Sequence, residues 1–146
     1  MTEHYVSIAA TGLLATFAEA GVLEVADVQV ARHVTFLYHE VSEVARLGLA
    51  LTVRALRLGA VCVEVATIEE DVLASLEEPP AEALPWPSEP EWRAVLADSP
   101  MVTVGADAPG ARPLRWVSGR LYLERYWADQ ELVRRELLQR GGLVPP

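Results

Sequence analysis

The chain has 146 residues, a length that suits one domain with a sizeable buried core. Hydrophobic residues make up 51% of the sequence, which is typical of a folded protein and excludes a wholly disordered one. The formal net charge is −9, so the chain as a whole is a poor non-specific ligand for a nucleic-acid backbone.

The types of basic and sulfur-containing residues exclude several kinds of site. All twelve basic residues are arginines, whereas a P-loop, a kinase site and a Schiff-base site each need a lysine. The single cysteine, Cys62, excludes a disulfide framework and a multi-cysteine metal site. The first residues lack the basic segment of a signal peptide, and the longest apolar stretch, 44–63, contains three arginines. We therefore expect a cytoplasmic protein with no membrane span.

Charge is distributed unevenly along the chain. Residues 64–98 contain ten acids and one arginine, a net charge of −9, whereas residues 99–146 contain seven arginines and five acids. The basic excess in the last third is too small to indicate a nucleic-acid interface by itself.

The first half of the chain predicts three helices. Apolar residues at a helical period predict the first helix from 8 to 20, ended by Gly21. Asp27 is predicted to be the N-cap of the second helix. On that helix we expect one buried side, formed by Val28, Ala31, Val34 and Leu37 or Tyr38. The third helix, from about 42 to 58, is apolar except for one narrow stripe, and we expect it to be the central, most buried helix.

The second half of the chain predicts short elements of both kinds. Thr67 and Ser88 each stand three residues before a glutamate, which indicates two capping boxes that open helices. Residues 77–90, rich in Glu, Pro and Ala, predict a loop. The other expected elements are strands at 60–65 and 101–104 and a last helix at about 128–140.

Residues 113–127 are the most informative segment. Ser118-Gly119 is a turn dipeptide between alternating apolar and polar residues, which predicts a β-hairpin followed by a charged helix. The expected fold is α+β: a mostly helical small domain whose short antiparallel sheet, near the C-terminal end, joins the hairpin to 61–65 and 101–104.

Candidate catalytic residues are few. His4, His33 and His39 are scattered, and the last two are spaced to lie on different faces of one predicted helix, unlike a metal pair. Cys62 lies in an apolar strand, where a structural thiol is favoured over a nucleophile. The acids at 69–71 occupy a first helical turn, where the helix dipole favours them. The sequence shows no active site.

Aromatic and arginine side chains around the hairpin are the better candidates for function. These types dominate the energetics of protein interfaces, although the simplest interpretation of the aromatics is a domain core. Stacking of bases on the same aromatics is a further alternative. The group consists of Trp116, Tyr122, Tyr126 and Trp127 with Arg115, Arg120 and Arg125, while Trp86 and Trp92 flank the acidic loop.

Four segments, taken in order, resemble one family. They are LEVADVQVA at 23–31, GAVCV at 59–63, LPWP at 84–87 followed by Trp92, and RLYLERYW at 120–127. This series is similar to the N-terminal domain of RecD, the alpha subunit of exodeoxyribonuclease V (RecBCD). Each motif is weak alone, and the serial order over about residues 10–140 carries the resemblance.

The resemblance implies an assembly role. In that family the domain docks an ATP- and Mg²⁺-dependent 5′→3′ DNA helicase motor, used in double-strand break repair and recombination, onto the RecC subunit. The motor has no counterpart here, so we expect one domain at 1–140, the start of a linker at 141–146, no cofactor and no catalysis by this chain. The expected partner is a RecC-like protein, with no direct contact to nucleic acid, membrane or small-molecule substrate.

The predicted contact residues are Arg120, Tyr122, Arg125 and Trp127. Two alternatives stay open: a stand-alone nucleic-acid-binding module that uses the arginine and aromatic hairpin, and a small enzyme whose site is assembled from residues distant in sequence.

Overall fold

The computed structural model describes residues 12–125, 132 and 135–139. Its elements are α1 (Leu13–Glu19), α2 (Val25–Leu37), α3 (Glu43–Arg57), β1 (Cys62–Glu64), α4 (Ile68–Ser75), α5 (Glu89–Ala97), β2 (Val102–Val104), β3 (Leu114–Val117) and β4 (Arg120–Leu123). Residues 135–139 are also helical. The predicted α+β class is confirmed. The first residues of the predicted first helix, much of the predicted last helix and the linker at 141–146 lie outside the described residues.

Helix α3 is the centre of the domain, as predicted. The hydroxyl of Ser42 caps it by accepting a hydrogen bond from the backbone N–H of Ala45 at 3.2 Å. The helix contacts α1, α2, α5 and strands β1 and β4, and Leu47, Leu49 and Leu51 are almost fully buried. Gly48 lets α5 approach closely, because a Cβ at this position would lie 3.2 Å from the ring of Trp92.

Helix α2 begins earlier than the sequence predicted. Its N-cap is Glu24, and Asp27 is the third residue of the first turn, where its carboxylate accepts the backbone N–H of Glu24 at 2.9 Å. Asp27 is fully buried and also accepts a hydrogen bond from Arg57 at 2.8 Å. The prediction of Asp27 as N-cap was wrong because its carboxylate binds a group before it in the chain and a guanidinium from α3.

The four strands form one sheet in the order β1-β4-β3-β2. The predicted hairpin is confirmed: β3 and β4 are antiparallel, and the turn residues Ser118 and Gly119 have φ angles of 50° and 80°. Strand β1 is antiparallel to β4, but β2 is parallel to β3. That parallel pair departs from the expected all-antiparallel sheet, because the connection at 105–113 returns the chain to the starting end of β2.

The two predicted capping boxes have different outcomes. The hydroxyl of Ser88 accepts the N–H of Glu91 at 3.3 Å and caps α5 as expected. Thr67 precedes α4 without a side-chain cap, because its hydroxyl donates to the Asp71 carboxylate at 2.8 Å instead. Among the described residues, every helix is too short or too polar to cross a lipid bilayer.

Candidate protein-docking surfaces

The predicted contact residues differ in how much surface they offer. Arg120 and Arg125 are exposed, whereas Tyr122 is only 8% exposed within the sheet. The nearest Arg120 nitrogen lies 4.0 Å from the Glu64 carboxylate, and a side-chain hydrogen bond with Tyr122 together with Glu64 raises the pKa of Arg120. Trp127 lies outside the described residues. The structure therefore leaves Arg120 and Arg125 at the surface, whereas Tyr122 lies mainly within the sheet.

Arg115, the third arginine of the hairpin group, is structural. Its side chain is 3% exposed, and its Nε donates to the Glu124 carboxylate at 2.7 Å. Its Nη1 donates to the carbonyl of Gly105 at 2.6 Å, which ties down the loop after β2. A guanidinium that is buried and ion-paired in this way is not accessible to a nucleic-acid phosphate, so the hairpin presents less positive surface than its sequence suggests.

The three described tryptophans belong to the core. Trp92 and Trp116 are 1% and 9% exposed. Trp86 is partly buried and packs edge-to-face on Phe17, with ring centroids 4.8 Å apart and an interplanar angle of 84°. The simpler interpretation of these aromatics as core residues is confirmed for all three.

The remaining candidates from the sequence form no catalytic constellation within the described residues, and His4 lies outside them. His33 and His39 are exposed, and His39 is not on a helix because α2 ends at Leu37. Burial raises the pKa of the Cys62 thiol, which lowers its thiolate fraction at neutral pH. Within the described part of the chain, no group of three histidine, cysteine or acidic side chains is placed to hold a metal ion.

The structure shows an apolar surface that the sequence analysis missed. It lies at the α2–α3 corner, residues 36–42, where Phe36, Leu37 and Val41 are 77%, 56% and 83% exposed. The sequence predicted Leu37 or Tyr38 on the buried side, and the structure packs Tyr38 against the core and leaves Leu37 at the surface. The sequence carried one signal: Phe36 follows Val34 by two positions, which places the two residues on nearly opposite sides of a helix.

Hydrogen bonds to Glu40 fix the backbone of the α2–α3 corner. The Glu40 carboxylate is buried and accepts hydrogen bonds from the backbone N–H of Ser42 at 3.0 Å and from the hydroxyl of Ser99. The Glu40 carbonyl accepts two hydrogen bonds from Arg46, at 3.2 and 2.9 Å. His39 beside it has a φ of 56°, a left-handed backbone conformation that such a network can hold. The apolar side chains are therefore presented on a preorganised backbone.

Comparison with known proteins identifies relatives along almost the whole chain. Residues 19–122 match the family described as RecBCD enzyme subunit RecD, N-terminal domain. RecBCD enzyme subunit RecD of Mycobacterium tuberculosis is 37% identical over 139 residues, which cover 94% of this chain and 22% of that relative. The subunit of the same name from Mycolicibacterium smegmatis is 40% identical over 139 residues, covering 91% of this chain and 22% of the relative. The chain thus spans about a fifth of the length of these relatives.

Proposed function

This chain belongs to the family of RecBCD subunit RecD N-terminal domains, and we propose that it is a docking module that attaches a RecD-like subunit to a RecC-like subunit. The parent protein would be a 5′→3′ ATP-dependent DNA helicase subunit of exodeoxyribonuclease V, which acts in recombination and double-strand break repair. ATP and Mg²⁺ would bind in its motor, and this domain would work in the cytoplasm without chemistry of its own.

The observation that favours a protein partner is the α2–α3 corner. Three large apolar side chains stand exposed on a backbone that Glu40 fixes from inside. Exposed apolar groups of this kind mark interaction surfaces, and a rigid presentation lowers the entropy lost on binding. A phosphate backbone would gain nothing from these side chains, whereas an apolar hollow on a second protein would bury them.

The hairpin arginines are a second part of the same proposal. Arg120 and Arg125 are exposed beside the sheet and suit the polar rim of an interface. Tyr122 exposes little surface to a partner, so its replacement would affect folding as much as binding. Trp127 stays a proposed anchor on its residue type alone.

The test is co-expression with the RecC-like subunit from the same source, followed by size-exclusion chromatography and titration of the purified components. We expect stoichiometric co-elution of the chain with that subunit. The double substitution Phe36→Ser with Val41→Ser should weaken binding by at least ten-fold, roughly 1.4 kcal/mol. The control is Val104→Ser, which removes a 48% exposed valine from edge strand β2, outside the α2–α3 corner. Equal affinity of the double variant, the control and the original chain would contradict the role of the α2–α3 corner.

The rim is tested separately. Arg120→Ala with Arg125→Ala should reduce affinity by about 1 kcal/mol and make the remaining binding less sensitive to salt, because rim charges act mainly over long distances. A loss seen with these variants but not with the corner variants would place the interface at the hairpin. Unchanged affinity and salt dependence would remove both arginines from it.

The nucleic-acid module is the competing function. It would require oligonucleotide binding that falls steeply with salt, as counterions are released from the phosphates. Titration with a labelled single strand at low salt decides this, with Arg120→Ala as the sensitive variant. Saturable binding by the original chain, lost in that variant, would overturn the protein-docking proposal for the hairpin.

A further inference from the structure

A cavity of about 270 Å³ lies between helix α3, strand β1 and helix α4. Its size is near the lower end of small-molecule pockets in proteins, about 300 Å³. The walls are mostly apolar, formed by Leu51, Ala55, Val63, Ile68 and Val72 among others. A cavity of this kind accepts an aliphatic group of modest size.

The cavity contains a buried guanidinium. Arg54 lines it and is only 7% exposed. Nε of Arg54 donates to the carbonyl of Val22 at 2.8 Å, and Nη2 donates to the hydroxyl of Ser75 at 2.7 Å. Both acceptors are neutral, and Ser75 is itself part of the cavity wall. Neither of these hydrogen bonds from Arg54 is therefore made to an anion.

Arg54 makes no direct ion pair in the part of the chain that the structure describes, although the carboxylates of Asp27 and Glu24 act on it from a longer distance. None of the five ion pairs found there includes it, and its Nη1 makes no hydrogen bond with a described residue. Burial lowers the pKa of Arg54 and the neighbouring Arg57 lowers it further, whereas the carboxylates of Asp27 and Glu24 raise it, and the net direction is downward. A largely buried cation whose hydrogen bonds go only to neutral groups gains from a carboxylate at hydrogen-bond distance.

Two carboxylates also line the cavity, and neither compensates Arg54. The Asp71 carboxylate is exposed and accepts a hydrogen bond from Thr67. The Glu64 side chain is 47% exposed and faces Arg120 at 4.0 Å. Both are solvated, so they weaken the attraction of the cavity for anions only modestly.

We propose that this cavity is a binding site for an aliphatic group that carries a carboxylate. The apolar walls would bury the aliphatic part, and the free Nη1 of Arg54 would bind the carboxylate. Two sources offer this chemistry: a small aliphatic acid, or the C-terminal residue of a peptide chain. This site lies apart from the α2–α3 corner and does not depend on the docking function.

The first probe is hexanoate, with 1-hexanol as the neutral control of similar size. Titration of the full ¹⁵N-labelled chain by heteronuclear NMR should give saturable shifts confined to residues around the cavity. Hexanoate should bind about ten-fold more tightly than hexanol, because only hexanoate neutralises the guanidinium. Equal affinities, shifts spread over the surface or no saturation by either probe would overturn the proposal.

Two interventions at the cavity make the result specific. Arg54→Met should reduce the ratio of hexanoate to hexanol affinity to about one, because it keeps the bulk of the side chain and removes the charge. If that variant does not fold, the original chain is alkylated with iodoacetamide at Cys62, its single cysteine, which lines the cavity. Alkylation should abolish hexanoate binding, and hexanoate should slow alkylation, as measured by intact mass. Binding unaffected by both interventions would place the carboxylate elsewhere.

A third comparison distinguishes the two sources. It uses an N-acetylated tripeptide that ends in leucine with a free carboxylate, and the same tripeptide with a C-terminal amide. Tighter binding of the free-carboxylate peptide than of hexanoate would support a chain terminus as the ligand. Binding of hexanoate alone would support a small acid, and binding of the amide peptide as tightly as the acid would contradict the role of Arg54.

Discussion

Two buried arginines, one on the central helix and one in the sheet, make different sets of hydrogen bonds. Arg115, in the sheet, has the Glu124 carboxylate 2.7 Å away and the carbonyl of Gly105 at 2.6 Å. Arg54, on the central helix, is nearly as buried but donates only to the carbonyl of Val22 and the hydroxyl of Ser75. The first guanidinium has its counter-ion within the described fold, while the second faces a cavity.

The difference shows that the energetic cost of a buried charge depends on the groups that surround it. A buried ion pair such as Arg115–Glu124 is costly to break, because the remaining partner is left desolvated and unpaired. A buried cation with neutral acceptors bears part of that cost already in the native state, so its removal costs less and an added anion is favourable. Four substitutions test this contrast.

Arg115→Met should have the largest effect. It leaves the Glu124 carboxylate without its counter-ion and releases the loop at Gly105, so we expect a loss of about 3 kcal/mol in the free energy of unfolding. Urea unfolding followed by tryptophan fluorescence measures it. The matched control is Arg93→Met, which removes the exposed ion pair with Glu89 at 2.6 Å. That pair should contribute no more than about 0.5 kcal/mol to the free energy of unfolding. Similar losses at the two positions would show that burial does not strengthen the Arg115 pair.

Glu124→Gln converts the Arg115 site into one that resembles the Arg54 site. The amide keeps an acceptor oxygen but removes the negative charge, so we expect a loss of about 2 kcal/mol. Combination with Arg115→Met gives a double-mutant cycle, in which the two losses should add up to more than the loss in the double variant. Strict additivity would mean that the two side chains are not coupled.

Arg54→Met should cost about 1 kcal/mol, less than half of the loss for the same substitution at Arg115. The carbonyl of Val22 loses its donor, but the domain no longer buries an unpaired cation. The same urea unfolding experiment provides the comparison. A loss as large as that of Arg115→Met would refute the contrast between the two sites.

Ser75→Asp should have the smallest effect and the opposite sign. It places a carboxylate next to Nη2 of Arg54, and we expect a gain of about 0.5 kcal/mol together with loss of hexanoate binding. A carboxylate at the end of a helix opposes the helix dipole, so Ala74→Asp, at the neighbouring exposed position, is the control for that effect. The gain is therefore measured relative to the control, and stability equal to the control would contradict it.

Local patterns in the sequence predicted much of the fold. The helical period and Ser42 located α3, Ser88 located α5, and Ser118-Gly119 located the hairpin. These predictions succeed because caps and tight turns depend on residues close together in the chain. The order of four short motifs also indicated the family that the comparison confirms.

The tertiary structure alone decided which polar and aromatic side chains are exposed at the surface and which are buried. Asp27 was predicted as a cap and proved to be a buried partner of Arg57, and Tyr122 was proposed as a contact residue and lies mostly within the sheet. The parallel pairing of β2 had no pattern in the sequence, and the exposed α2–α3 corner had only the spacing of Phe36 from Val34. Composition and period determine which residues can be buried, but pairing across 30 residues, as between Asp27 and Arg57, depends on how the helices pack.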